Sequence, residues 1–137
     1  MIYEPRISLI ETPYISDRST VVSEVKLSEN GLEIIMESKE WSVKANFDAI
    51  WGFRVLDEGD LGECWSECNL TQGWCFEVLS GGWNELEKTR DHYVTGKLYE
   101  PREFLLIGLN ECVSVLASEN PVITELLPSN KSSKRTR

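Results

Sequence analysis

Trp41, Val43, Ala45 and Phe47 alternate with Ser42, Lys44 and Asn46. A period of two is the mark of a strand that buries one face and wets the other. No helical spacing gathers those four apolar residues on one side, so the segment commits the chain to a sheet with a covered face. The segment before it agrees. Val21, Ser23, Val25 and Leu27 fall on one side of a second alternation and Val22, Glu24, Lys26 and Ser28 on the other. Glu29-Asn30-Gly31 then turns the chain into a return strand over 32–37, because Asn-Gly readily supplies positive φ angles.

The same logic extends along the chain. Residues 7–10 form a possible short strand. Residues 50–56 read as a strand with Trp51, Phe53 and Val55 facing inward, and 74–79 as another, with Trp74, Phe76 and Val78 on one face. Trp41, Trp51 and Trp74 are thereby expected in the core. Trp83, Leu86, Arg90 and Tyr93 recur at helical spacing and predict a helix over 83–93, followed by a loop over 94–101. Residues 103–109 are nearly all apolar, the pattern of a central strand buried on both faces. Residues 112–117 give the last clear strand. Asn120-Pro121 predicts a short helix ending before Pro128, since Pro suits the first helical position. About seven strands joined mostly by short turns, with one or two short helices late in the chain, predict an α+β, mostly β fold: an antiparallel sheet or β-sandwich.

The 137 residues suit one domain, which is expected to occupy 1–128. The segment 129–137 is read as a disordered basic tail. Its last seven residues hold four of the 14 basic side chains and no acid, so residues 1–130 carry ten basic and 23 acidic side chains, a net of −13. That sign repels the phosphate backbone of nucleic acids and disfavours anionic membrane surfaces. It attracts basic proteins and speeds encounter with them. No secretory leader pattern is visible at the N-terminus, and four cysteines are few for a disulfide scaffold, which points to a reducing, cytoplasmic setting.

Candidate chemistry is sparse. Cys64, Cys68, Cys75 and Cys112 offer four sulfurs, but they lack the two close pairs of a zinc site, and Cys75 and Cys112 fall inside strand patterns as small core residues. His92, the one histidine, has no nucleophile elbow to serve and reads as a surface residue. Gly59, Gly62, Gly81 and Gly82 fit no phosphate-binding loop, and Asp57–Asp60 lacks the ligand register of a calcium loop. No metal, cofactor or catalytic residue is therefore expected.

The densest feature is the stretch from Asp57 to Glu67, with five acids, no base, and Trp65 among them. Such a segment can be a solvated loop with Trp65 folded onto the core. It can be a docking surface in which charge steers and the aromatic anchors. It can also hold a carboxylate pair, Asp57 and Glu63, for acid–base hydrolysis, which requires the two to converge in a cleft. The docking reading assigns Asp57, Glu58, Asp60, Glu63, Trp65 and Glu67 to the partner surface, with Trp83 as a second anchor.

Four stretches carry a resemblance. They are Phe53-Arg54-Val55-Leu56-Asp57-Glu58-Gly59-Asp60-Leu61 with Trp65 after it, Gly73-Trp74-Cys75-Phe76-Glu77-Val78, Gly81-Gly82-Trp83, and the run from Phe104 to Leu116. Together, over roughly residues 50–116, they resemble small bacterial immunity proteins encoded beside polymorphic or contact-dependent growth-inhibition toxins. The resemblance implies a non-enzymatic inhibitor that binds and neutralises a cationic toxin domain, often a nuclease, inside the producing cell. The alternatives from other classes are an unrelated adaptor or regulatory domain and, third, the carboxylate hydrolase.

Overall fold

A computed structural model describes residues 5–57 and 69–126. Among these the chain is mostly β. It runs β1 (Arg6–Leu9), β2 (Val21–Ser28), β3 (Gly31–Glu37), β4 (Ser42–Phe47), β5 (Ile50–Asp57), β6 (Cys75–Ser80), α1 (Trp83–Glu87), α2 (Val94–Leu98), β7 (Arg102–Ile107), β8 (Glu111–Ala117) and β9 (Val122–Glu125). The strands form two antiparallel sheets, one of five strands in the order β1-β6-β7-β8-β5 and one of four in the order β2-β3-β4-β9. No described helix is long and apolar enough to cross a membrane.

The expected alternation is present over 43–47, where Val43, Ala45 and Phe47 are buried and Lys44 and Asn46 only partly covered; Trp41 is buried as expected, and Ser42, expected on the wet side, is buried too. Val43, Ala45 and Phe47 pair with Met36, Ile34 and Leu32 of β3, and these six form the inner face of the four-stranded sheet. Phe104, Leu106, Val113 and Val115 form the inner face of the other sheet, and both sets belong to one core. Phe47 and Phe104 meet across it with ring centroids 5.4 Å apart. Each large apolar side chain buried this fully contributes about 1.5–3 kcal/mol, and together they offset the entropy of ordering the chain. β7 lies at the centre of its sheet and is buried on both faces from Glu103 to Ile107, as its apolar run predicts.

The N-terminal segment is strapped across one end by two indoles. Trp41 Nε1 donates to the Ile15 carbonyl at 2.8 Å and Trp74 Nε1 to the Tyr14 carbonyl at 3.0 Å. The two indoles pack with centroids 5.6 Å apart. Both are polar groups that must find partners when their rings are buried.

Several local expectations differ from the structure. Trp74 joins the inter-sheet core while Phe76 and Val78 belong to the cluster on the other side of the sheet, so the three do not share a face. At the β2–β3 turn Gly31 alone takes a positive φ, 99°, and Asn30 does not. A Cβ at Gly31 would run into the carbonyls of Phe47 and Asp48, so the position needs glycine for space as well as for φ. The helix expected over 83–93 ends at Glu87, and a second short helix, α2, occupies Val94–Leu98, where a loop is expected. Thr89 explains part of the break: its hydroxyl donates to the Leu86 carbonyl at 2.7 Å, competing with the helical ladder, and the Asp-His-Tyr run that follows has weak helix propensity. The helix expected after Pro121 is instead β9, in which Val122, Ile123 and Thr124 are β-branched and pair with the open edge of β4 from Asn46 to Val43. Finally, Trp51 is not in the core but 39% exposed. A bulge between Ile50 and Gly52 in the pairing with β8 puts one extra residue on β5. Ile50 and Phe53 keep the inward positions, and Trp51 is turned out, as bulges at sheet edges commonly do.

Candidate protein-binding surface

The outer face of the five-stranded sheet is mostly apolar. Phe76, Val78, Leu105, Ile107 and Cys112 form a second buried cluster there. At the end where β5, β7 and the helices meet, it turns polar. Arg54 pairs with Ser114, and Glu103 with Val78 on one side and Leu116 on the other. A carboxylate set among those apolar neighbours requires strong partners.

Its partners are the first amides of α1. Glu103 Oε2 accepts from the Trp83 N–H at 3.1 Å and Oε1 from the Asn84 N–H at 2.8 Å. Gly82, which precedes them, has no room for a side chain, because a Cβ would sit 2.7 Å from Val78 Cγ1 and 2.9 Å from both Glu103 oxygens. Glu103 therefore acts as a long-range cap for a helix whose own N-cap residue supplies no side-chain bond. Burial pushes its carboxyl above the ordinary carboxylate range. The Asn84 and Trp83 amides and the charge of Arg54 pull it back, and Glu85 adds to the rise.

Trp83 is locked into this cluster. The Arg54 guanidinium lies 4.8 Å from its ring centroid, its indole N–H donates to Glu87 Oε2 at 3.2 Å, and the ring edge passes Gly52. Arg54 Nε is buried without a hydrogen-bond partner among the described residues, so the ring face is its principal partner on that side. Asn84 extends the network. Its amide donates to the Pro101 carbonyl at 3.2 Å, and its side-chain oxygen accepts from the Tyr93 hydroxyl at 2.8 Å. Burial, with Glu87 and Glu103 nearby, raises the Tyr93 phenol. The cluster holds α1 and the following turn rigidly against the sheet.

That scaffold presents an exposed apolar surface. Trp51 stacks on Tyr99 with centroids 5.3 Å apart and planes 24° from parallel, yet Tyr99 remains 53% exposed. Val94 and Leu98, one helical turn apart in α2, and Leu86 in α1 are more exposed still, and Val55 on β5 is also exposed. Exposed apolar side chains mark interaction sites where they gather, and Trp51 and Tyr99 are an exposed pair in direct contact.

Of the residues assigned to docking from the sequence, Asp57 ends β5, exposed, opposite Glu111 of β8. Trp83 is half-buried in the Arg54–Glu103 cluster. Glu58, Asp60, Glu63, Trp65 and Glu67 lie outside the described residues, as do Cys64, Cys68 and the tail, so the carboxylate pair of Asp57 and Glu63 has no described geometry. Cys75 and Cys112 are both buried but belong to opposite faces of the sheet, and burial pushes the Cys75 thiol up to about 12. His92 is exposed in the turn between α1 and α2.

Trp51 reads from the sequence as a core residue, and no role for Tyr99 or Glu103 is read there. The signal for Glu103 was an acid leading an apolar central run, the arrangement of a buried charge that needs a partner elsewhere. The cavity of about 330 Å³ between the N-terminal segment and Thr71–Trp74 offers less, because the Ser16 hydroxyl there already bonds the Leu70 carbonyl and the Trp74 indole bonds Tyr14. No family model, curated protein or solved structure matches this chain.

Proposed function

We propose that the chain is an immunity-type protein that binds a cationic toxin domain and neutralises it by covering its surface, without a cofactor and without catalysis of its own. The observation that carries this reading is the exposed Trp51–Tyr99 stack on a body of net charge −13. Aromatic residues held on a rigid scaffold lose little entropy on docking and are the commonest anchors of protein interfaces. A negative field of that size recruits basic partners and speeds their approach. The acids from Asp57 to Glu67 supply the densest share of that field along the sequence. The resemblance to immunity proteins adds the class of partner, often a basic nuclease.

The test is kinetic. The protein is immobilised and the toxin domain encoded beside its gene is flowed over it at several salt concentrations. Replacing Asp57, Glu58, Asp60, Glu63 and Glu67 with Asn and Gln is expected to slow association by about tenfold and to flatten its salt dependence. The double variant Trp51→Ala, Tyr99→Ala is expected to raise the dissociation rate by about tenfold or more. Association rates independent of salt in the parent protein would remove the electrostatic part of the reading, and no measurable complex would remove the whole.

A further inference from the structure

Each sheet has two edges, and they are not equally protected. Natural sheets discourage unwanted strand addition with short edge strands, charges and bulges. β1 and β9 have four residues each. β2 has eight, but exposed Glu24 and Lys26 stand in its middle and its register breaks between Val22 and Glu24. β5 also has eight residues, and its only bulge is at its start, so its register with β8 runs unbroken from Gly52 to Asp57. Its sequence, Ile-Trp-Gly-Phe-Arg-Val-Leu-Asp, has one charge inside it, and that side chain is folded against Trp83. Trp51 and Val55 are exposed. Among the described strands, β5 pairs with β8 alone.

We infer that β5 is the docking edge, and that it takes up an extended segment of a cationic protein by antiparallel or parallel strand addition, with Trp51 on the outer face of the sheet and Val55 on the face of Phe53 meeting guest side chains on the two sides of the added strand. This rests on the reading of the partner as a basic protein, and adds where and how that partner is held. Strand addition draws its affinity from main-chain hydrogen bonds and its selectivity from alternate side chains. The charges favour a basic guest. Exposed Asp48 lies just before β5, and exposed Asp57 and Glu111 face each other at its far end, so carboxylates bracket the edge, and the Arg54 charge between them is folded onto Trp83 within reach of the Glu103 carboxylate. A second copy of this chain is the disfavoured guest, since each copy carries a formal net charge of −9 and like charges oppose association.

The experiment uses the full chain and a synthetic decapeptide of alternating valine and lysine, with the valine–glutamate decapeptide as control. Affinity is measured by titration, and the binding edge by amide hydrogen exchange with and without peptide. The lysine peptide is expected to bind saturably and to slow exchange within Gly52–Leu56, while the glutamate peptide does not bind. Val55→Lys, an exposed position that tolerates the change, is expected to weaken binding by about tenfold. Val122→Lys, the same change on the exposed edge strand β9, leaves it unaltered. Thermal melts of both variants check that the fold is intact. Protection at β2, β9 or the helices instead of β5, equal effects of the two variants, or no binding of the lysine peptide would overturn the inference. Each of those outcomes leaves the affinity for a whole toxin domain to be judged by the kinetic test above.

Discussion

Glu103 offers the sharpest test of how the surface is held in place. Its carboxylate accepts two backbone N–H groups at the start of α1, at 2.8 and 3.1 Å, from a position only 5% exposed. Hydrogen bonds to a charged group contribute about 1.5–3 kcal/mol each. Removing the carboxylate also relieves the cost of burying a charge, which offsets part of that sum. Glu103→Ala, which leaves both amides without their acceptor beside a small cavity, is therefore expected to cost about 2–4 kcal/mol, or roughly 10 °C in Tm for a domain of this size. Glu103→Gln keeps one acceptor oxygen without the charge and is expected to cost about 1 kcal/mol or less near pH 7.

The pH dependence separates the two effects. Burial raises the Glu103 carboxyl in the folded chain above its ordinary value of 4.5, so the folded state holds the proton more tightly than the unfolded state. The resulting stabilisation is fully present below 4.5 and is lost as pH rises through the raised value. Glu77 behaves oppositely. Hydrogen bonds from Arg102 at 2.8 and 2.9 Å lower its carboxyl, so its contribution is lost only as pH falls below the ordinary range. Urea unfolding followed by tryptophan fluorescence, repeated from about pH 4 to 7, is the assay. The parent protein is expected to lose a share of stability as pH rises above 4.5 within that window, and Glu103→Gln to lack that loss. An unchanged pH slope in Glu103→Gln, or a cost below about 1 kcal/mol for Glu103→Ala, would refute the reasoning.

Two further outcomes follow from single positions. Gly31→Ala forces a side chain into a positive φ of 99° against the Phe47 and Asp48 carbonyls, and chemical denaturation is expected to show a loss of about 2 kcal/mol or more. Cys75, 1% exposed with its thiol pushed up to about 12, is expected to resist a thiol reagent at pH 8 in the native protein and to react at once in denaturant. Rapid native labelling, located at Cys75 by peptide mapping, would contradict its placement in the core.

The elements written by periodicity were the ones legible beforehand. The buried side of β4, the hairpin before it and the two-sided burial of β7 follow from local patterns, because sheet faces impose a period of two and a central strand loses its wet face. What escaped were features decided by distant pairing. Trp51 alternates correctly with Phe53, but a bulge against β8 turns it outward. The 122–125 segment becomes a strand because β4 offers it an edge. Glu103 looks like a boundary residue until the helix that precedes it in sequence is seen resting on its carboxylate. Of the surface, the sequence showed the charge and the tryptophans but not which aromatic rings face water. Trp83 is half-buried under Arg54, while Trp51, expected in the core, is 39% exposed and stacks on Tyr99.

The central claim is that this acidic β protein neutralises a cationic toxin domain by binding it. The most direct measurement is growth of bacteria that express the neighbouring toxin domain from an inducible promoter, with and without this chain. The account predicts that the parent protein restores growth, and that Trp51→Ala combined with Tyr99→Ala abolishes rescue while leaving the folded protein at the same cellular level. Growth arrest that this chain does not relieve, with both proteins present and soluble, would contradict it.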